Sequence, residues 1–154
     1  MSYASEYSAL AGAFNIGWIK VKSAGPPIVY EARTPIAWPN VPYEPTAGVP
    51  WVAFNVVNGE AQQISAGAPG NNVVRHVGMV VIQIFVPLHQ GESAARALGD
   101  NVITLFSGLT LAGYRFRPAY VSAVTTNSGQ KGYSLVDGWR QINVTVPFTR
   151  DEFM

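Results

Sequence analysis

The longest run of alternation extends from Val73 to Val86. Gly78, Val80, Ile82, Ile84 and Val86 fall on one side of a pleated strand and Val77, Met79, Val81, Gln83 and Phe85 on the other, so both faces are largely apolar. Such a strand belongs inside a sheet, with a helix over one face and a second layer or a neighbouring subunit over the other. Pro87 stops it, and a helix opens just after Gly91, spanning about 92–107. In that helix Ala95, Leu98, Val102 and Leu105 recur at three- and four-residue spacing, Glu92 suits the positive N-terminal end, and Gly108 is placed to end it. Strand, short loop and covering helix form the predicted folding core, each fully buried side chain contributing about 1.5–3 kcal/mol.

Around this unit the pattern predicts further elements. Residues 5–14 form a short helix capped by Ser5, with Tyr7, Leu10, Ala11 and Phe14 on one face. Ile16 to Val21 is extended, with Trp18, Lys20 and Lys22 on one side and Ile19 and Val21 on the other. From Pro26 to Pro50 the chain carries seven prolines interleaved with Tyr30, Ile36, Trp38, Val41 and Tyr43, which favours an ordered extended arm over a disordered linker. Trp51 to Val57 is a strand, and Asn58-Gly59 signals a hairpin turn that sends Glu60 to Ser65 back antiparallel. Gly67 to Asn72 is a loop. Tyr114 to Arg117 is a strand with the tyrosine and phenylalanine on one face, Arg115 and Arg117 on the other, and an edge or bulge near Pro118. Residues 125–132 make a polar loop, and Trp139 to Phe148 a final strand with Ile142, Val144, Val146 and Phe148 facing inwards. The whole predicts one α+β domain over 1–154: a mostly antiparallel sheet, one main helix packed on it, a short N-terminal helix, and a β-hairpin with the proline-rich arm.

Composition adds one point. Charged residues are only 12% of the 154 against 48% hydrophobic, and so thinly charged a chain has difficulty covering its own surface as a monomer. A formal net charge of +1 carries no electrostatic signature of nucleic-acid or membrane-surface binding. With no cysteine, thiol nucleophiles, thiolate metal sites and disulfides are all absent, in keeping with assembly in a reducing cytoplasm. Neither a secretory signal nor an apolar run of membrane-spanning length is visible, so the expectation is a soluble chain, intracellular when made.

Candidate chemistry is sparse. His76 and His89 are too far apart along the chain to form a paired metal-ligand motif, and each reads as a satisfied or surface histidine. The serines of Gly91-Glu92-Ser93-Ala94-Ala95 and Gly132-Tyr133-Ser134-Leu135-Val136 lack a nucleophile elbow, the carboxylates are scattered, and there is no phosphate-binding glycine loop. Catalytic, cofactor and metal sites are therefore expected to be absent. Arg115 and Arg117, with Arg75 and Arg140, form either a basic strip or a solvated face paired to Asp137 or Glu60, the second being favoured by the low charge. Trp18, Trp38, Trp51 and Trp139 suit core closure or subunit contacts better than a carbohydrate platform.

Several segments, taken in order, resemble the tail terminator-like proteins of long-tailed bacteriophages. They are Thr34-Pro35-Ile36-Ala37-Trp38-Pro39-Asn40-Val41-Pro42-Tyr43-Glu44-Pro45, the strand from Trp51, Arg75-His76-Val77-Gly78 leading to Gln83-Ile84-Phe85-Val86-Pro87, and Gly138-Trp139-Arg140-Gln141 with Val144-Thr145-Val146-Pro147-Phe148. The likeness spans roughly 34–150; residues 1–33 diverge, because Ile16 to Arg33 intervenes where the family runs a longer N-terminal helix almost directly into the arm. The resemblance implies a structural virion protein at the head-proximal end of the tail, made in the host cytoplasm. Copies would form a homo-oligomeric ring, typically a hexamer, that caps the tail tube, ends its polymerisation and offers a joining surface to the head–tail connector. Partners would be the chain itself, the tail tube protein and a connector or neck protein, with no membrane and no specific nucleic-acid binding. Subunit contacts are expected at Ile36, Trp38, Val41, Tyr43 and Trp51, the alternative being that the arm folds over its own domain, and lumen- or partner-facing positions at Arg115, Arg117, Gln130 and Lys131. The alternatives are another neck, head-completion or tail-like particle component, and a carbohydrate-binding module.

Overall fold

The computed structural model describes residues 2–89, 92–123 and 138–154. The chain begins with helix α1 (Tyr3–Gly17), a hairpin of β1 (Ile19–Ser23) and β2 (Val29–Ala32), and then β3 (Ile36–Ala37), β4 (Trp51–Asn58) and β5 (Gln62–Gln63). Strand β6 (Val73–Pro87) leads to helix α2 (Ser93–Ser107), followed by β7 (Tyr114–Phe116), β8 (Tyr120–Ala123) and β9 (Trp139–Phe153). One sheet runs in the order β3-β4-β6-β9-β7, with β5 also beside β6 and β8 beside β9; β1 and β2 form a separate two-stranded sheet.

The spine of the large sheet is the pair β6 and β9, antiparallel in continuous register from Val73 opposite Phe153 to Pro87 opposite Trp139. At about 3.4 Å per residue the 15 paired positions of β6 make a ribbon roughly 50 Å long. Strand β9 passes through Pro147 and runs five residues beyond the expected end at Phe148, to Phe153. The proline fits because its carbonyl accepts from Arg117 N. In an antiparallel ladder its absent N–H lies on that same side, where β7 has ended and β8 has not begun.

One face of the sheet carries the core. Val52 and Phe54 of β4, Val80, Ile82, Ile84 and Val86 of β6, and Ile142, Val144, Val146 and Phe148 of β9 are all buried. Both helices contribute to this core. Helix α2 turns Ala95, Gly99, Val102 and Phe106 inwards, so its buried stripe is rotated by one residue from the expected Leu98 and Leu105, which flank it half-buried. A Cβ at Gly99 would meet Val121, Val144 and Ile142 at 3.6–3.7 Å, so this position of the helix lies directly over the sheet. In α1 the buried stripe is Glu6, Leu10 and Phe14, continuing onto Trp18. The Phe14 ring stacks on Trp18, Phe54 and Phe106, joining both helices to the sheet.

The fold class needs correction. Of the described residues, 42% are strand and 22% helix, so the protein is mostly β, although broadly α+β. Among the described residues there is no single main helix: α1 and α2 both have 15 residues. The first helix begins at Tyr3 because Ser2, not Ser5, caps it, accepting from Ser5 N. It continues to Gly17 because the buried stripe does, which puts Trp18 in the core and leaves only Lys20 and Lys22 on the expected side of β1. The sheet is also mixed, since β3 runs parallel to β4.

The expected hairpin at Asn58-Gly59 is likewise absent. Neither residue has positive φ, and Gly59 N bonds to Val77 O, so the chain carries on along the edge of β6. There β5 pairs with Val74 and Arg75, end to end with β4. A strand as long as β6 offers more edge than β4 can fill, and filling it satisfies backbone groups that a turn would leave open.

Candidate functional site

The proline-rich arm lies on its own domain. Val52 N donates to Pro35 O, and Ile36 and Ala37 pair with Val52 and Ala53. The Trp38 ring packs against Phe54 and Tyr43 against Trp51, which in turn stacks on Phe85 at 4.0 Å between centroids. Burial of Tyr43 raises its phenol above the ordinary range. Of the five candidate interface residues, Trp51 is buried, Ile36, Trp38 and Tyr43 are half-buried against the domain, and Val41 is exposed.

The face of the sheet opposite the helices has three zones. Trp51, Phe85 and Trp139 form an aromatic end. Amides occupy the middle, with Asn55 Nδ2 donating to Gln83 Oε1 and Gln141 Nε2 to Asn143 Oδ1. At the far end Val57, Val77 and Met79 are exposed beside charged groups. Arg75 grips Asp151 through two hydrogen bonds of 2.7 and 2.8 Å, holding that carboxyl below its usual range, with Arg115 a weaker influence. Arg115 lies opposite Thr149, and Arg117 beside Pro147, so both project from this open face and are exposed. Arg140 joins no strip with them. It sits nine residues down β9 from Thr149, about 30 Å away, and donates to Glu92 at the start of α2. Gln130, Lys131, Asp137 and the loop 125–132 lie outside the described residues.

A third surface went unassigned in the sequence. In the β1–β2 hairpin Ile19, Val21, Tyr30 and Ala32 share one face, whereas Lys20 and Glu31 form an ion pair at 3.7 Å on the other. Every residue of β1 is exposed. The alternation of Ile19 and Val21 with lysines was legible; their pairing with Tyr30 across the Gly25-Pro26-Pro27 turn was not. Beside the root of this hairpin, a cleft of about 770 Å³ opens between α1 and α2.

His76 is buried, its Nδ1 3.5 Å from the Tyr3 hydroxyl and its Nε2 3.2 Å from Glu152, and therefore belongs to the packing of α1 on the sheet. His89 is exposed with φ of 64° just after β6. Among the described residues no three His, Cys, Asp or Glu side chains gather as a metal site, and no helix is long and apolar enough to cross a membrane.

A family model described as phage tail terminator protein matches residues 22–148, from within β1 to within β9. One solved structure aligns over 100% of this chain and 98% of its own length, with 17% identity and a TM-score of 0.59, a likeness of fold. No curated protein matches the sequence.

Proposed function

The chain belongs to the phage tail terminator family, a family of structural virion proteins, and from that premise we propose that it forms a closed ring on the head-proximal end of the tail tube. In this reading the ring ends tube polymerisation and presents a joining surface to the head–tail connector. The observation that carries it is the family match over residues 22–148. The surfaces support it: apolar side chains stand exposed on the hairpin and on the open sheet face, as subunit or partner contacts require. A carbohydrate platform has little support, because Trp18 and Trp51 are buried and Trp38 packs on Phe54.

Electron microscopy of tails provides the test. Tails assembled without the protein should be abnormally long or heterogeneous, and adding it should restore one length with extra density at the end that meets the head. Tails of normal length in its absence would refute termination, and density at the distal tip would refute the location.

A further inference from the structure

Asn58-Gly59 makes no turn, yet it is the one Asn-Gly pair in the sequence. At such a pair a side-chain amide is lost most readily, because a glycine without Cβ leaves the following backbone nitrogen unhindered. We propose that Asn58 is a deamidation site that the fold holds shut, and that loss of its amide, once the end of β4 has opened, prevents this end of the domain from closing again. The inference goes beyond the ring reading and does not depend on it.

The reaction needs a freedom that the folded chain withholds. Gly59 N attacks Asn58 Cγ as the Cγ–Nδ2 bond breaks, the departing nitrogen takes up the proton that Gly59 N gives and leaves as ammonia, and a succinimide joins the two residues. Water then opens this ring at one carbonyl or the other, giving aspartate or isoaspartate. In the fold Gly59 N–H is bonded to Val77 O at 2.9 Å, and Asn58 Nδ2 donates to Glu6 Oε1. Nucleophile and electrophile are thus each tied to a different neighbour. Burial is not the protection, since both residues are exposed to water. Hydrogen bonds at a strand end are, Asn58 being the last residue of β4, and such ends open at a fraction of the cost of global unfolding.

Either product is wrong for the site. Glu6 accepts from Asn58 on one oxygen and from Arg150 Nε on the other at 2.8 Å, and Arg150 Nη1 also reaches Glu152 at 3.0 Å. An aspartate at position 58 replaces the amide donor by a carboxylate facing Glu6, so that three acids surround one guanidinium. Glu6 and Arg150 are each 1% exposed, which leaves little water to screen the repulsion. Isoaspartate also carries a free carboxylate, and it adds a methylene to the backbone. That shifts the pairing of Asn58 with Gly78 and the bond from Gly59 to Val77 out of register.

Peptide mapping by mass spectrometry of the full chain, kept in mildly alkaline buffer with and without guanidinium chloride, tests the lock. In denaturant Asn58 should deamidate ahead of every other asparagine. In buffer it should react roughly tenfold or more slowly, since only the opened fraction reacts. Chain deamidated in denaturant and returned to buffer should melt about 5 °C or more below unmodified chain taken through the same cycle. Asn58→Asp should likewise melt below Asn58→Ser, which loses the amide without adding a charge; an Asn58→Asp chain that does not fold where Asn58→Ser does is the extreme of the same result. Equal rates in the two media overturn the lock, and another asparagine leading in denaturant overturns the site. Recovery of the full melting temperature by the deamidated chain, or Asn58→Asp melting no lower than Asn58→Ser, overturns the block on closing. The rate and recovery measurements use the unaltered sequence, so they decide the matter whatever the variants do.

Discussion

Arg150 donates from Nε to Glu6 Oε2 at 2.8 Å with both side chains 1% exposed, joining the first turn of α1 to the last third of β9. Asn58 at the end of β4 donates to the other Glu6 oxygen, and Arg150 Nη1 reaches Glu152 at 3.0 Å. Three elements far apart in sequence are thus tied at one end of the core by charge. Two buried charges cost several kcal/mol each to desolvate, and their mutual attraction offsets this only while both are present.

Removing one partner should therefore be severe. Arg150→Met or Glu6→Leu alone is expected to cost about 3–5 kcal/mol, because a buried charge is stranded, whereas the double variant should recover much of that loss. Urea titrations of the four chains measure the coupling. Single variants losing less than about 1 kcal/mol would show the pair to be dispensable.

How much of this was legible follows from where the information resides. β6, α2 and β9 announce themselves through side-chain periodicity, which is local, and their starts and stops at Val73, Pro87, Gly108 and Trp139 agree with the structure to within a few residues. Glu6 could not be read as buried, since its partner is 144 positions away and nothing near it differs from a solvated helix face. Asn58-Gly59 failed for a related reason: a turn propensity of local origin lost to the unpaired edge of β6. The arm's prolines and aromatics point to an extended segment that packs, but the surface that receives Trp38 and Tyr43 is set by tertiary packing.

Two glycines should respond oppositely to alanine. At Gly78 a Cβ would lie 2.7 Å from the Phe148 ring and 3.0 Å from Val57 O, so Gly78→Ala forces β4, β6 and β9 apart and should cost about 1–3 kcal/mol. At Gly12, inside α1 with open space, alanine should stabilise by about 0.5–1 kcal/mol. Thermal denaturation of both variants decides it; equal shifts would contradict the packing described.

Acid should reveal the tie between β9 and α2. Arg140 donates to the Glu92 carboxylate and, with a lesser contribution from Arg96, holds that carboxyl below its usual range. A depressed folded value means that the stabilisation is present above the ordinary carboxylate value, about 4.3, and disappears as pH falls through the folded one. Glu92→Gln should therefore melt below the wild type at pH 7, with the gap closing below about pH 4. Asp151, held down in the same direction by Arg75, leaves the variant with some acid sensitivity of its own. A gap that widens towards low pH would reverse the assigned sign.

The open sheet face supplies the last prediction. Arg115 and Arg117 project there beside exposed Val57, Val77 and Met79, in a chain with only ten lysines and arginines. Exposed arginines bordering an apolar patch are common anchors of protein interfaces. Arg115→Glu with Arg117→Glu should change stability by less than about 0.5 kcal/mol, because neither side chain is buried. The ring mass should stay the same. Capture of tail tubes or of the connector should weaken, and the wild-type interaction should lose strength as salt rises, since opposite charges on a partner are screened. Assembly assays across a salt series separate the two partners: loss of tube capping alone assigns this face to the tube, loss of head joining alone assigns it to the connector. Wild-type behaviour in both would show that the face meets neither.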